Sequence, residues 1–192
     1  MESLISYLMA LRMLTPAEKA VIAAHFHAGQ FKEGDYLFTG GGVCHQFFFI
    51  VSGVVRMVAV NDKGVEVTHY FVGENHFCSI LASFTNETVA EDSIQCCCPT
   101  VVLTIEKSQL LALYRELPFM EALIDKVNQQ RLLEKVRLKN LYSGEDSAGR
   151  YRVFLREQPE IAGRVPLSHV ATYLSITPQS LSRIRRQLKS HL

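Results

Sequence analysis

No apolar run in the chain approaches the length of a membrane span, and the first residues lack the basic-then-apolar pattern of a secretory signal. These two absences predict a cytoplasmic protein with no membrane partner. Five cysteines (Cys44, Cys78, Cys96, Cys97 and Cys98) make an odd number and no C-x-x-C pair. Reduced thiols are therefore expected, and buried cysteine commonly behaves as a small hydrophobe. No glycine-rich phosphate loop, nucleophile elbow or other catalytic signature occurs, so neither an enzyme nor a cofactor is predicted. What the 192 residues do supply is ample apolar content for one or two domains.

Acidic residues are missing from one stretch in particular. From Thr177 onward the sequence carries Arg183, Arg185, Arg186 and Lys189 and no Asp or Glu. Residues 131–192 hold 12 basic and 5 acidic residues, a net +7, whereas residues 1–130 hold 8 and 14, a net −6. This asymmetry predicts a polyanion partner for the basic end. The segment VPLSHVATYLSITPQSLSRIRRQL, residues 165–188, gives that charge a form. Leu167, Val170, Ala171 and Leu174 recur at helical spacing before the turn Ser175-Ile176-Thr177, with Ser168 and His169 left outside. Leu181, Ile184 and Leu188 recur after it, with Gln179, Ser182, Arg183, Arg186 and Lys189 on other faces. Thr177 suits an N-cap and Pro178 the first helical position. The pattern predicts a helix-turn-helix whose second helix offers its N-terminal turn and a basic face to a major groove. The plainer reading is a solvated basic helix pair.

Upstream, residues 2–28 read as helical, with Thr15-Pro16-Ala17-Glu18 as a start signal. From Phe31 short β-prone runs follow: Tyr36–Phe38, Gln46–Val51, Val54–Val60, Glu66–Phe71 and Ser93–Ile105. Glycine-containing breaks separate them, which predicts a β-sandwich or barrel. Within the last run, alternation sends Cys96 and Cys98 to one face and Cys97 to the other. After Ser108 the pattern is helical. From Pro118 to Tyr142 apolar residues recur through Met120, Leu123, Ile124, Val127, Leu132, Leu133, Val136 and Leu141. A helix of that length, about 36 Å, needs a partner along its apolar stripe. A second copy of the chain or the β domain of the same chain would each supply one. Residues 143–147 read as a hinge.

This order of parts resembles the Crp–Fnr family of bacterial transcription regulators, over essentially the whole chain. ITPQSLSRIRRQL (176–188) is similar to the family's recognition helix, and FFFIVSGVVRMVAVNDKGVEVTHYFVGEN (47–75) to its strand–glycine–strand run. The resemblance implies an α+β fold. An N-terminal antiparallel, jelly-roll-like β-roll flanked by helices would lead into a long dimerisation helix (about 118–142). Residues 1–142 would form a cyclic-nucleotide-binding-like sensor domain and residues 143–192 a winged helix-turn-helix. With only Lys189–Leu192 beyond the recognition helix, a wing must come from elsewhere or be absent. The implied partners are a second copy, double-stranded DNA with a near-palindromic site, and a small-molecule effector of unidentified class. Arg183 is the implied base contact, with Gln179 and Ser182 nearby, and Ser168, Thr177, Ser180 and Arg186 are implied phosphate contacts. For Arg185 and Lys189 solvent exposure is favoured.

Cyclic-nucleotide-binding members pair a Gly-Glu with a downstream Arg that holds the cyclic phosphate. Gly73-Glu74 is present, but no Arg occurs between Arg56 and Arg115, and Glu91 and Asp92 stand in that neighbourhood. Gly73, Glu74, Glu91 and Asp92 thus outline an effector pocket that repels a cyclic phosphate, and cyclic AMP is not the expected effector. Two alternatives are a sensor or interaction module without DNA binding, and a cupin-like metal protein using His25, His27 and Glu33. The spacing of the latter set departs from the cupin pattern.

Overall fold

The computed structural model describes residues 1–189, the last of these by its backbone alone; Ser190–Leu192 and the Lys189 side chain, expected from the sequence to face solvent, lie outside the described residues. Two helices open the chain, α1 (Glu2–Leu11) and α2 (Pro16–His25). Thr15 and Glu18 close a reciprocal capping box at the start of α2, so the start signal read from the sequence is used. The strands β1 (His27–Phe31), β2 (Tyr36–Phe38), β3 (Gln46–Ser52), β4 (Val55–Val60), β5 (Glu66–Val72) and β6 (Phe77–Cys78) follow. After a short α3 (Leu81–Asn86) come β7 (Ser93–Cys96) and β8 (Thr100–Glu106). The helices α4 (Lys107–Glu116), α5 (Phe119–Tyr142), α6 (Ser147–Glu157), α7 (Pro159–Ala162), α8 (Leu167–Tyr173) and α9 (Pro178–Lys189) complete it. The strands form two four-stranded antiparallel sheets, ordered β1-β8-β3-β6 and β2-β7-β4-β5. The fold is thus α+β with two open sheets and no closed barrel.

Period-two alternation explains the run Phe47 to Ile50. Phe48 and Ile50 face Met57, Ile94, Cys96 and Val102 between the sheets. Phe47 and Phe49 face the other way, into a cluster with Leu4, Leu8, Ile22, Leu113, Met120 and Val127. Because helices cover the outer face of this sheet, the run is buried on both sides. The long helix α5 changes role along its length. Met120, Leu123, Ile124 and Val127 are buried on their own chain, whereas Leu132, Leu133 and Val136 are 62%, 69% and 49% exposed. The first half of α5 thus packs on its own chain, while the second half leaves apolar side chains exposed.

The structure departs from the sequence reading at several points. The helical reading of residues 2–28 ends early, since His27 already pairs with Thr104. Ser93–Ile105 is two strands, because the chain bends at Cys97-Cys98-Pro99. Cys96 packs between the sheets, while Cys97 and Cys98 both join the C-terminal helices, so Cys98 does not share a face with Cys96. Alternation fails there because the strand has already stopped. No strand follows Glu106 among the described residues, so the C-terminal helices carry no wing hairpin there. Arg185 and His169 are half-buried rather than outward.

The C-terminal helices are seated on the outer face of the second sheet. Val54, Phe71 and Cys97 share one buried cluster with Tyr151, Phe154, Val165, Val170, Ala171, Leu174, Leu181 and Ile184. Phe71 meets the Tyr173 ring edge-on, with centroids 5.1 Å apart. Two polar contacts pin this seam. The Thr172 hydroxyl donates to Thr68 Oγ1 at 2.9 Å, and Thr68 also accepts from the buried Arg56 guanidinium at 3.2 Å. Arg56 is held in turn by Gln95 at 2.8 Å and by Glu66. The second pin is Glu74 Oε1, which accepts from Arg164 Nη2 at 2.6 Å and from the Gly53 amide at 2.7 Å. Gly53 has φ +103, and a Cβ there would lie 2.4 Å from Thr100 Oγ1, so glycine is needed to present that amide.

Burial alone would raise the Glu74 carboxyl, but the hydrogen bonds from Arg164 and from the Gly53 backbone outweigh it and hold it below the usual carboxylate range. A depressed carboxylate stabilises the folded state above its ordinary pKa and loses that contribution as pH falls through the folded value. Glu74→Gln should therefore unfold more easily than wild type by about 1 kcal/mol at neutral pH. The gap between the two proteins should close below about pH 4. Urea titrations of both proteins across pH check this; a gap that stays constant in acid would refute the ion pair.

Candidate functional site

The two C-terminal helices predicted from the sequence are present and pack on each other. Ala171 at their contact is fully buried, as are Leu181 and, nearly so, Ile184. The chain leaves α8 through Ser175, whose φ of 57 lies in the left-handed region. Its amide returns to Thr172 O at 3.1 Å and that of Ile176 to Ala171 O at 2.9 Å, so the last carbonyls of α8 are satisfied locally. Thr177 Oγ1 then accepts from the Ser180 amide at 3.1 Å and contacts Ser180 Oγ at 2.9 Å. This cap fixes where α9 begins.

Ser168, Thr177, Gln179, Ser182, Arg183 and Arg186 are exposed, and Ser180 is half-buried beneath the cap. Of these, Gln179, Ser182, Arg183 and Arg186 are exposed on α9, Thr177 precedes it and Ser168 lies on α8. Among the described residues Arg183 and Arg186 form no salt bridge, which leaves both guanidinium groups available to an external anion. Arg183 can pair bidentately with a planar acceptor edge.

The second candidate set is divided by the structure. Gly73 and Glu74 follow β5 and help line a cavity of about 290 Å³ beside α5. Glu91 and Asp92 precede β7. Val55 pairs with Val72 and with Cys96, whereas Ser93 pairs with Val58, so Glu74 and the Glu91-Asp92 pair extend from opposite ends of the ladder. Glu74 is moreover committed to Arg164 and Gly53. Of the histidines weighed as metal ligands, His25 Nε2 lies 3.0 Å from Glu116, and His27 is exposed on β1. Residues that sequence reasoning missed include Arg164, Thr172 and Phe71, which act across the seam. Their partners lie about ninety to a hundred positions away, and no local pattern announces such a pairing.

The cyclic nucleotide-binding domain family model matches residues 28–116. No curated protein sequence matches the chain. Among solved structures, the c-di-GMP-responsive global regulator CLP of Xanthomonas campestris superimposes with a TM-score of 0.72 at 18% identity, over 92% of this chain and 93% of that one. A Crp/Fnr family transcriptional regulator from Eubacterium rectale gives 0.72 at 18% identity, over 97% and 88%. FixK2 from Bradyrhizobium japonicum gives 0.72 at 14% identity, over 86% and 85%. Identities this low speak to the fold, and the fold agrees along nearly the whole of each chain. Residues 28–116 match the cyclic nucleotide-binding domain model, and the chain as a whole has the fold of these Crp–Fnr regulators.

Proposed function

We propose that the protein is a homodimeric, sequence-specific DNA-binding transcription regulator of the Crp–Fnr type, acting in the cytoplasm and not as an enzyme. In this reading residues 1–142 form the sensor unit and residues 143–192 the DNA-reading unit. The observation that carries it is the capped start of α9, which exposes Gln179, Ser182, Arg183 and Arg186 on a helix without an acidic residue. Arg183 is the base reader, pairing with guanine O6 and N7, and Gln179 and Ser182 border it. Ser168, Thr177, Ser180 and Arg186 hold phosphates and fix the register.

The exposed apolar residues Leu132, Leu133 and Val136 support a dimer seam on the second half of α5. A twofold dimer would set two α9 helices about 34 Å apart and so favour a near-palindromic site. The effector is a different question. Glu74 is occupied by Arg164, and no arginine stands where a cyclic phosphate would need one, so cyclic AMP is not the effector in this reading.

Two outcomes are expected. Duplexes selected by the wild-type protein from a random pool should bind it with a steep salt dependence, and Arg183→Ala should weaken that binding by about 5- to 150-fold while leaving the fold intact. Fluorescence anisotropy and circular dichroism read these two quantities. Absence of any salt-dependent DNA binding by the wild type would instead favour an interaction module. Separately, Leu132→Glu with Val136→Glu should convert a dimer to a monomer in sedimentation equilibrium; a double variant that stays dimeric places the seam elsewhere.

A further inference from the structure

Between β5, α5 and the α8–α9 turn lies a second cavity, of about 550 Å³, which adjoins the one at Gly73 and Glu74 and shares Tyr70, Lys135, Leu138 and Tyr173 with it. Its walls are three tyrosines, Tyr70, Tyr142 and Tyr173, and three cations, Lys135, Lys139 and Arg150. Among the described residues that line it there is no aspartate or glutamate. The tyrosine faces are held in place: Gln158 Nε2 donates to both the Tyr142 and the Tyr173 hydroxyl at 3.0 Å, and the two rings meet edge to face. Lys135 Nζ sits 3.5 Å above the Tyr70 ring and forms no salt bridge among the described residues. Arg150 gives Nη1 to Leu174 O at 2.9 Å, while its buried Nε has no partner among the described residues. A desolvated ammonium and an unmatched guanidinium N–H in one cavity are costly unless an anion joins them.

We propose that this cleft binds an aromatic phosphate monoester. Three cations without a salt bridge among the described residues match a dianionic head, and the tyrosine-lined wall matches a flat ring. Burial, with Arg131 one turn away adding to it, pushes the Lys135 ammonium down to about 8, the response expected of a cation waiting for a counter-ion. Positions 135, 138 and 142 lie at least about 100° around α5 from Leu133 and Val136, while Lys139 lies only about 20° from Leu132, so a partner on that seam would border the cleft at Lys139. Because Lys135 and Tyr70 belong to the sensor side and Arg150 and Tyr173 to the other, a bound ligand ties the two together. That consequence for DNA binding rests on the regulator reading above; the binding site itself does not.

The probes are 5′-AMP and phenyl phosphate, with adenosine as the uncharged control and cyclic AMP as the singly charged diester. Calorimetry on the full chain should show 5′-AMP and phenyl phosphate binding, adenosine silent and cyclic AMP at least about tenfold weaker than 5′-AMP. Lys135→Met should raise the dissociation constant at least about tenfold while its Tm stays equal to wild type or rises, because a half-buried charge without a carboxylate partner is removed. Lys139→Gln, on an exposed position, should weaken binding without touching the fold. Silence of both monoesters at about 1 mM, equal binding of adenosine, or unchanged affinity in both variants would overturn the site. Anisotropy on a selected duplex, run on the same preparations, separates the two readings. Ligand binding without DNA binding refutes the regulator alone, and DNA binding without ligand binding refutes the cleft alone.

Discussion

The seating of Phe71 among the C-terminal helices holds this molecule in one piece. Its ring touches Tyr173 and Phe154, and around it Val54 and Cys97 from the sheet meet Val165, Val170, Ala171 and Leu174 from the helices. Burying several large side chains at about 1.5–3 kcal/mol each provides the attraction, and it is non-directional. Direction comes from two polar pins, Thr68–Thr172 and Glu74–Arg164, which fix where along β5 the helices sit. If the seam were lost, neither the cleft nor the placement of α9 relative to α5 would persist.

The same seam occupies polar groups that would otherwise be free to meet a ligand. A carboxylate that could face a ribose is engaged by Arg164, and the buried Arg56 is spent on Gln95, Thr68 and Glu66 inside the sheet. Unmatched positive charge instead collects on α5 and α6, at Lys135 and Arg150, where the sheet, the long helix and the C-terminal helices converge. A ligand there would act on domain placement by contacting both sides, with no need to work through the interior of the roll. Any such coupling requires that it bind the seated and unseated arrangements unequally.

Much of this was legible in the sequence because it is encoded locally. The cap at Thr177, the start signal at Thr15, the 24-residue α5 and the face of α9 all depend on contacts within a few residues. Glycine and asparagine breaks located most strands. What was hidden depended on distance or on short elements. The two-residue β6 is too brief to show a period, and Pro99 split a β-prone run that composition alone made continuous. The burial of His169 could not be read from the helix it sits on, because β5 covers that face. Glu91 and Asp92 were grouped with Glu74 through the resemblance to the family's Gly-Glu and downstream Arg, whereas strand register carries them to the other end of the sheet.

The most direct test of the seated arrangement is amide hydrogen exchange of α8 compared with β5, read by mass spectrometry on the wild-type protein and on Arg164→Met. The account predicts that residues 167–173 are protected together with residues 66–72, and that both segments lose protection in the variant. Exchange of α8 at loop rates in the wild type, with β5 still protected, would show that the C-terminal helices do not rest on the sheet.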